Sequence, residues 1–415
     1  MIRRFVSICI QLIEDLLIGG WNSIWYYLFP IMHPRCANWW SVARWLQWLT
    51  FLWLSIGLIV LCSASYPSAQ FEFNDGLYYV KRQLLWTILG ILEFNLLTRL
   101  LIKDILKISS LGIIFSFLCL LLTFPMGISV NGASRWIAIG PILLQPSEII
   151  KPFLILQSSY IFSQWDNISY SKKIFWVILF ISIIGSILIQ PNLSTASLCG
   201  AIIWLVALTA GIHWFYLNSI LSIGAVTALI SLGSQEYQRQ RIISFLNPWA
   251  NPTSIGYQLV QSLLAVGSGR LTGSGISCSY QKLFYLPIQY TDFIFSVFSE
   301  EFGLLGAFLF ISLLIIYFSL GMIVVLSNKS KVNRLLALGC IMVLVGQSLI
   351  NIGVSVGILP TTGLPLPFFS YGGNSILATF FVSAILIRVA IETEIDNRIN
   401  IFSLLNKQSI FYWFK

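Results

Sequence analysis

The chain has 415 residues, of which 57% are hydrophobic and only 9% charged, with a formal net charge of +9. A soluble globular protein carries about 25% charged residues, so that class is excluded and a polytopic membrane protein is indicated. The basic residues are scattered over many short segments, which excludes a nucleic-acid-binding stripe and reads as anchoring to membrane lipids.

Residues 1–44 are apolar and aromatic but are interrupted by Glu14-Asp15 and Gly19-Gly20. They lack the unbroken apolar core and small-residue cleavage site of a signal peptide. They read as an interfacial helix with its Trp and Tyr at headgroup level, an extra span being the alternative. Hydropathy then marks spans near 45–65, 83–102, 108–124, 146–164, 173–190, 194–212, 214–233, 292–326, 335–357 and 371–391. Each approaches the length of about 20 residues that crosses a bilayer as a helix. The fold class expected is therefore an all-α polytopic membrane protein of about ten transmembrane helices with one long outer loop. Ten spans place both termini on one side, and that side collects sixteen of the 24 basic residues. The positive-inside rule makes it the cytoplasmic side. Seven cysteines without CxxC spacing read as small buried hydrophobes. Two histidines, His33 and His213, argue against a histidine-rich metal site.

Four polar constellations fall on the outer side by this topology. The first runs from Asn131-Gly132-Ala133-Ser134-Arg135-Trp136 to Gln145-Pro146-Ser147-Glu148 and Lys151. Pro146 and Ser147 suit a helix start. Glu148 and Lys151, three apart on one helical face, read either as an internal ion pair or as substrate contacts. Arg135 follows an Asn-Gly turn, where its planar fork suits an anionic headgroup. The second, Gln190-Pro191-Asn192-Leu193-Ser194-Thr195, reads foremost as a turn and helix cap.

The third is the 234–291 loop, with Arg239, Arg241, Arg270, Lys282 and the glycines 267, 269, 273 and 275. Tyr257 to Val266 is expected to form a short interfacial helix. A glycine-rich backbone can cradle phosphate, but ordinary turns explain the glycines equally and no nucleotide P-loop is present. The loop delivers Asp292 to the membrane surface, either as a helix cap or as a chemical group. Beyond it, Glu300 and Glu301 lie about 12–14 Å down a helix that starts at Asp292. Carboxylates at that depth belong in a bundle interior or a watered cavity. The fourth runs from Leu359-Pro360-Thr361-Thr362-Gly363 to Ser370-Tyr371-Gly372-Gly373-Asn374-Ser375. Its prolines and glycines disfavour a continuous helix, so it reads as the wall of a cavity or as a plain loop.

Taken together, NGASRWI, QPSEIIK, QPNLSTA, GYQLVQSLLAVGSG, QKLFYLPIQYTDFIFSVFSEEFG and LPTTGLPLPFFSYGGNS, in this order, resemble the SEDS family of cell-wall proteins (FtsW, RodA, SpoVE). The likeness leans to the division-type branch, and the LPIQYTDFIF wording to cyanobacterial and plastid-encoded members. It covers residues 45–391, leaving 1–44 as an N-terminal segment and 392–415 as a cytoplasmic tail.

The resemblance implies polymerisation of lipid II into peptidoglycan strands at the outer face of the membrane, with Asp292 matching the family's proposed catalytic aspartate. An α-linked donor and a β-linked product imply one inverting displacement. The diphosphate leaves as a stable anion, so one carboxylate base plus cations suffices. Candidate substrate-binding residues are Arg135, Lys151, Arg239, Arg241, Lys282, Ser370 and Tyr371. The resemblance fixes no cofactor, and a divalent cation bridging diphosphate and Asp292 is compatible with the pattern. Implied partners are lipid II, a class B penicillin-binding transpeptidase and other division proteins. The implied location is a bacterial inner membrane or a plastid inner envelope membrane. Asn192, Ser194 and Ile288 depart from the family's Asp, Gly and Glu, which weakens any role for those positions. A flippase using Glu93, Glu300 and Glu301, or a non-catalytic scaffold, are the competing readings.

Overall fold

The computed structural model describes residues 41–412 except 131, 132, 141, 191 and 235, with side chains described as far as Asp396. The interfacial reading of residues 1–44 thus falls almost wholly outside the described residues. The described chain forms α1 (Val42–Phe73), α2 (Tyr78–Arg99), α3 (Ile102–Met126), α4 (Pro146–Ser163), α5 (Tyr170–Ile189), α6 (Leu193–Thr209) and α7 (Trp214–Ser234). These are followed by α8 (Glu236–Leu246), α9 (Tyr257–Ser268), α10 (Ile294–Ser327), α11 (Lys331–Ser355) and α12 (Gly373–Tyr412).

Every expected span falls on one of these helices. Six of them, α1, α3, α5, α10, α11 and the first part of α12, are long and apolar enough to cross a membrane. The protein is therefore an integral membrane protein. Helices α2 and α4 carry interior charges, and α6 is shorter, with 17 residues. Helix α12 continues without a break through the junction expected near residue 391.

Helices α11 and α12 are mostly buried, whereas α3 and α5 turn most of their apolar surface outward, as lipid-facing helices do. The central packing sets α12 on α2, α10 on α1, and α4 on α3, α6 and α11. At the heart of the bundle, Trp53 of α1 meets Phe310, Tyr317 and Phe368 edge-on, at centroid distances of 5.6–6.0 Å. Phe94 of α2 and Phe380 of α12 make the same kind of contact at 6.3 Å.

Two features add to the expected helical fold. An antiparallel sheet, β1 (Ile128–Val130), β2 (Ala133–Ile139) and β3 (Ile142–Leu144), joins α3 to α4 in the order β1-β2-β3. The pairings Val130↔Ala133 and Ile139↔Ile142 make two consecutive antiparallel hairpin pairs. Second, α10 is not one straight helix. Gly303 has φ 64° and ψ −164°, a conformation almost confined to glycine, and breaks the helix two residues after Glu301.

That break receives the glycine-rich stretch. Ser274 N and Gly275 N donate to Glu300 O and Glu301 O at 2.9 and 3.0 Å. Leu304 N and Leu305 N donate back to Arg270 O and Leu271 O at 2.9 and 3.1 Å. A Cβ on Gly269 would stand 2.1 Å from Ser299 O, so backbone meets backbone here as only glycine allows. These glycines weld the outer loop onto the bundle.

Candidate active site

Asp292 stands two residues before α10 and is half-buried. It is not the helix cap: the N-cap position is Phe293, and no side chain caps that end. Instead the backbone around Asp292 is held by three donors. Tyr371 N donates to Tyr290 O at 2.9 Å, Ser370 Oγ to Thr291 O at 2.5 Å, and Asn351 Nδ2 to Asp292 O at 2.9 Å.

The segment from Pro360 to Gly372 forms a non-helical wall, as its prolines and glycines predict. Its turns require left-handed backbone at Gly363 (φ 70°) and Phe368 (φ 62°). Gly363 faces the carboxyl: a Cβ there would lie 3.4 Å from Asp292 Oδ2. Buried amides support this wall from behind. Asn351 Nδ2 also donates to Leu364 O at 2.8 Å, and Gln347 Nε2 to Pro365 O at 2.7 Å. Ser370 Oγ accepts from Leu366 N at 2.7 Å while donating to Thr291 O, so both its capacities are used within the wall. Tyr371 is half-buried and packs edge-on against Tyr79 and Tyr290, with the charge of Arg82 near its hydroxyl.

Two arginines widely separated in sequence converge on Asp292. Arg135, from β2, donates through Nε to Gln190 O at 3.1 Å. Arg241, from α8, donates through Nη1 to Thr361 O of the wall at 3.0 Å. Burial pushes the proton affinity of Asp292 above the ordinary carboxylate range, and the charges of Arg241 and then Arg135 oppose that rise without cancelling it. The net result is a carboxyl that is a better base than a free aspartate and has two cations within electrostatic reach.

The other candidate cations stand elsewhere. Lys151 is buried, paired with Glu148 at 2.7 Å and bonded to Gln347 Oε1 at 3.2 Å, which realises the ion-pair reading. Through Gln347 it supports the wall. Lys282 is also buried: its ammonium pairs with Glu301 at 2.8 Å and donates to Ser63 Oγ at 2.9 Å and Ser277 Oγ at 3.3 Å. A phosphate reaching it would first have to displace Glu301. Arg239 is exposed on α8.

Glu300 accepts from Ser279 Oγ, Tyr280 N and Gln281 N, so both deep carboxylates fasten the outer loop. Asn192 caps α6 through Thr195 N at 3.3 Å, as its spacing predicts. Pro146 opens α4 as expected, but no side chain caps that end. Among the described residues no three His, Cys, Asp or Glu side chains gather to hold a metal ion. A divalent ion at Asp292 would draw its remaining ligands from phosphate oxygens and water.

Asn351 and Gln347 escaped the sequence reading, although a signal existed. With Ser355 they recur every four residues in an apolar span, which places three polar groups on one helical stripe.

The family model described as "Cell cycle protein" (FTSW_RODA_SPOVE) matches residues 44–395. A probable peptidoglycan glycosyltransferase FtsW of Synechocystis sp. is 47% identical over 368 residues, which cover 88% of this chain and 94% of that protein. A putative peptidoglycan glycosyltransferase FtsW of Cyanophora paradoxa is 48% identical over 377 residues, 90% of this chain and 94% of that one. Among solved structures, a chain from work on the structural coordination of polymerization and crosslinking by a peptidoglycan synthase complex superposes with a TM-score of 0.68 at 26% identity, covering 84% of this chain and 97% of its own. The rod shape determining protein RodA of Thermus thermophilus gives 0.61 at 25% identity, covering 86% of this chain and 98% of its own.

Proposed function

Because the chain belongs to the FtsW/RodA/SpoVE family of cell cycle proteins, we propose that it is a peptidoglycan glycosyltransferase of the division type, polymerising lipid II with Asp292 as its base. The observation that carries this reading is the convergence of Arg241 and Arg135 on one half-buried carboxyl of raised proton affinity. Asp292 takes the proton of the acceptor sugar hydroxyl as its oxygen attacks the donor's anomeric carbon. The bond to the lipid diphosphate breaks, the configuration inverts, and the electron pair leaves on a phosphate oxygen. Arg135 and Arg241 stabilise the negative charge that grows on the diphosphate. Arg239, exposed on the same helix as Arg241, is suited to meeting the headgroup on approach. Tyr371, with the charge of Arg82 nearby, is suited to contact the sugar-peptide portion. Lys151 and Ser370 support the wall of the site and Lys282 anchors the outer loop; none of the three touches substrate.

Ten crossings with both termini cytoplasmic fit this reading. They set Asp292, Arg135 and Arg241 at the outer face, where the lipid-linked sugar is used. The membrane is that of a bacterial cell or the inner envelope of a plastid, and the partners are a class B penicillin-binding transpeptidase and other division proteins. The flippase alternative loses two of its three carboxylates, since Glu300 and Glu301 are committed to loop anchoring. Purified protein given lipid II, alone and with its cross-linking partner, tests the proposal. Glycan strands on a gel are the expected product. Substrate moved between bilayer leaflets with no strands made under either condition would overturn the proposal.

A further inference from the structure

Asn351 lies on the polar stripe of α11 with Gln347 and Ser355, directly after a π-helical turn at Met342–Gly346. It is 1% exposed, in a segment otherwise built for apolar packing. Its single amide nitrogen carries two hydrogens, and each finds a carbonyl: Asp292 O at 2.9 Å and Leu364 O at 2.8 Å. The opposite amide orientation would set Oδ1 against two acceptors, so the orientation is dictated by its surroundings. The neighbouring carbonyls, Tyr290 O and Thr291 O, are held by Tyr371 N and Ser370 Oγ of the same wall. Of these three donors only Asn351 is rooted in a buried helix, and only it bonds the wall and Asp292 itself with one group.

We infer that Asn351 is a positioning residue for the glycosyl transfer: it fixes the backbone of Asp292 beneath the 360–372 wall, so that the carboxyl keeps its place and its shelter from water. The inference rests on the reading of Asp292 as the base, and it adds a residue that touches neither sugar nor phosphate. Loss of the tether has two separable consequences. The carboxyl drifts from the attacking hydroxyl, which slows the transfer step without weakening the hold on the lipid substrate. It also gains water, and the burial that raised its proton affinity is partly relieved.

The test is Asn351→Ala in the full chain, assayed with lipid II and the cross-linking partner. Turnover should fall by about 100-fold, the effect of a misplacement of roughly 1 Å. KM should hold, and the acid limb of the pH–rate profile should move to lower pH. Should that variant not insert or fold, Ser370→Ala, which frees Thr291 O, should shift the acid limb in the same direction by less. An unchanged acid limb in the folded variant, with or without a loss of turnover, would mean that Asn351 serves only the fold, and would overturn the inference. Asp292→Asn assayed in parallel separates the two levels. If Asp292→Asn is inactive while Asn351→Ala behaves as wild type, only the positioning role falls. If Asp292→Asn polymerises normally, the reading beneath it falls too.

Discussion

Replacing Lys282 with methionine distinguishes a structural cation from a substrate-binding one. Its side chain is 5% exposed and that of Glu301 is not exposed at all, with 2.8 Å between the charges. Removing the lysine strands a buried carboxylate, a change that destabilises by about 3–5 kcal/mol. Ser63 Oγ, which donates to Glu301 Oε1 at 2.5 Å, stays in place, so the lower end of that range is expected. A double variant, Lys282→Met with Glu301→Leu, removes both charges and should recover most of the loss. Thermal unfolding in detergent reads the stability, and lipid II polymerisation per folded molecule reads the function. The single variant should unfold earlier yet polymerise normally at low temperature. Full stability combined with lost polymerisation would show that Lys282 meets substrate, and would refute the structural assignment.

Arg241→Gln removes the cation that does most to hold down the proton affinity of Asp292. The carboxyl should then keep its proton to higher pH, so the acid limb of the rate profile should move upward and KM should rise. A limb that stays or moves downward would contradict the proposed coupling. Arg135→Gln should shift the limb in the same direction by less, since Arg135 is the weaker of the two influences; equal or larger shifts would reverse their order. Gly303→Ala puts a Cβ 2.3 Å from Gly273 N and 2.7 Å from Leu271 O at a positive φ. Because these are backbone atoms that no rotamer change can move, a loss of about 3 kcal/mol is expected, read as a reduced folded fraction in detergent. Wild-type stability would mean that the loop is not welded at this break.

The helices were legible because a bilayer demands long apolar runs, and each expected span meets a helix. The wall from Pro360 to Gly372 was legible from its prolines and glycines, and the Glu148–Lys151 pair from its spacing of three. Other features depended on partners far away in sequence. That Arg135 and Arg241 both act on Asp292 follows from tertiary placement, Arg135 bonded to Gln190 O and Arg241 to Thr361 O of the wall, which no local pattern encodes. The break at Gly303 was hidden because a glycine in an apolar helix reads as a mild fault until a second backbone stretch packs against it. The three-stranded sheet had a local signal, Asn131-Gly132 between β-branched and aromatic residues, but the hydropathy reading gave it only the weight of a turn. Lys282 stood among the phosphate-ligand candidates as a basic residue of the outer loop, because its pairing with Glu301, 19 residues away, leaves no local pattern.

Polymerisation by Asp292→Asn protein is the most direct test of the central claim, measured as strand length and initial rate on lipid II across pH. The variant keeps the side chain's size and its backbone tethers while losing the base. It should insert, bind its cross-linking partner and retain KM, but form no strands at any pH. Strands made at the wild-type rate with an unchanged acid limb would show that another group takes the proton.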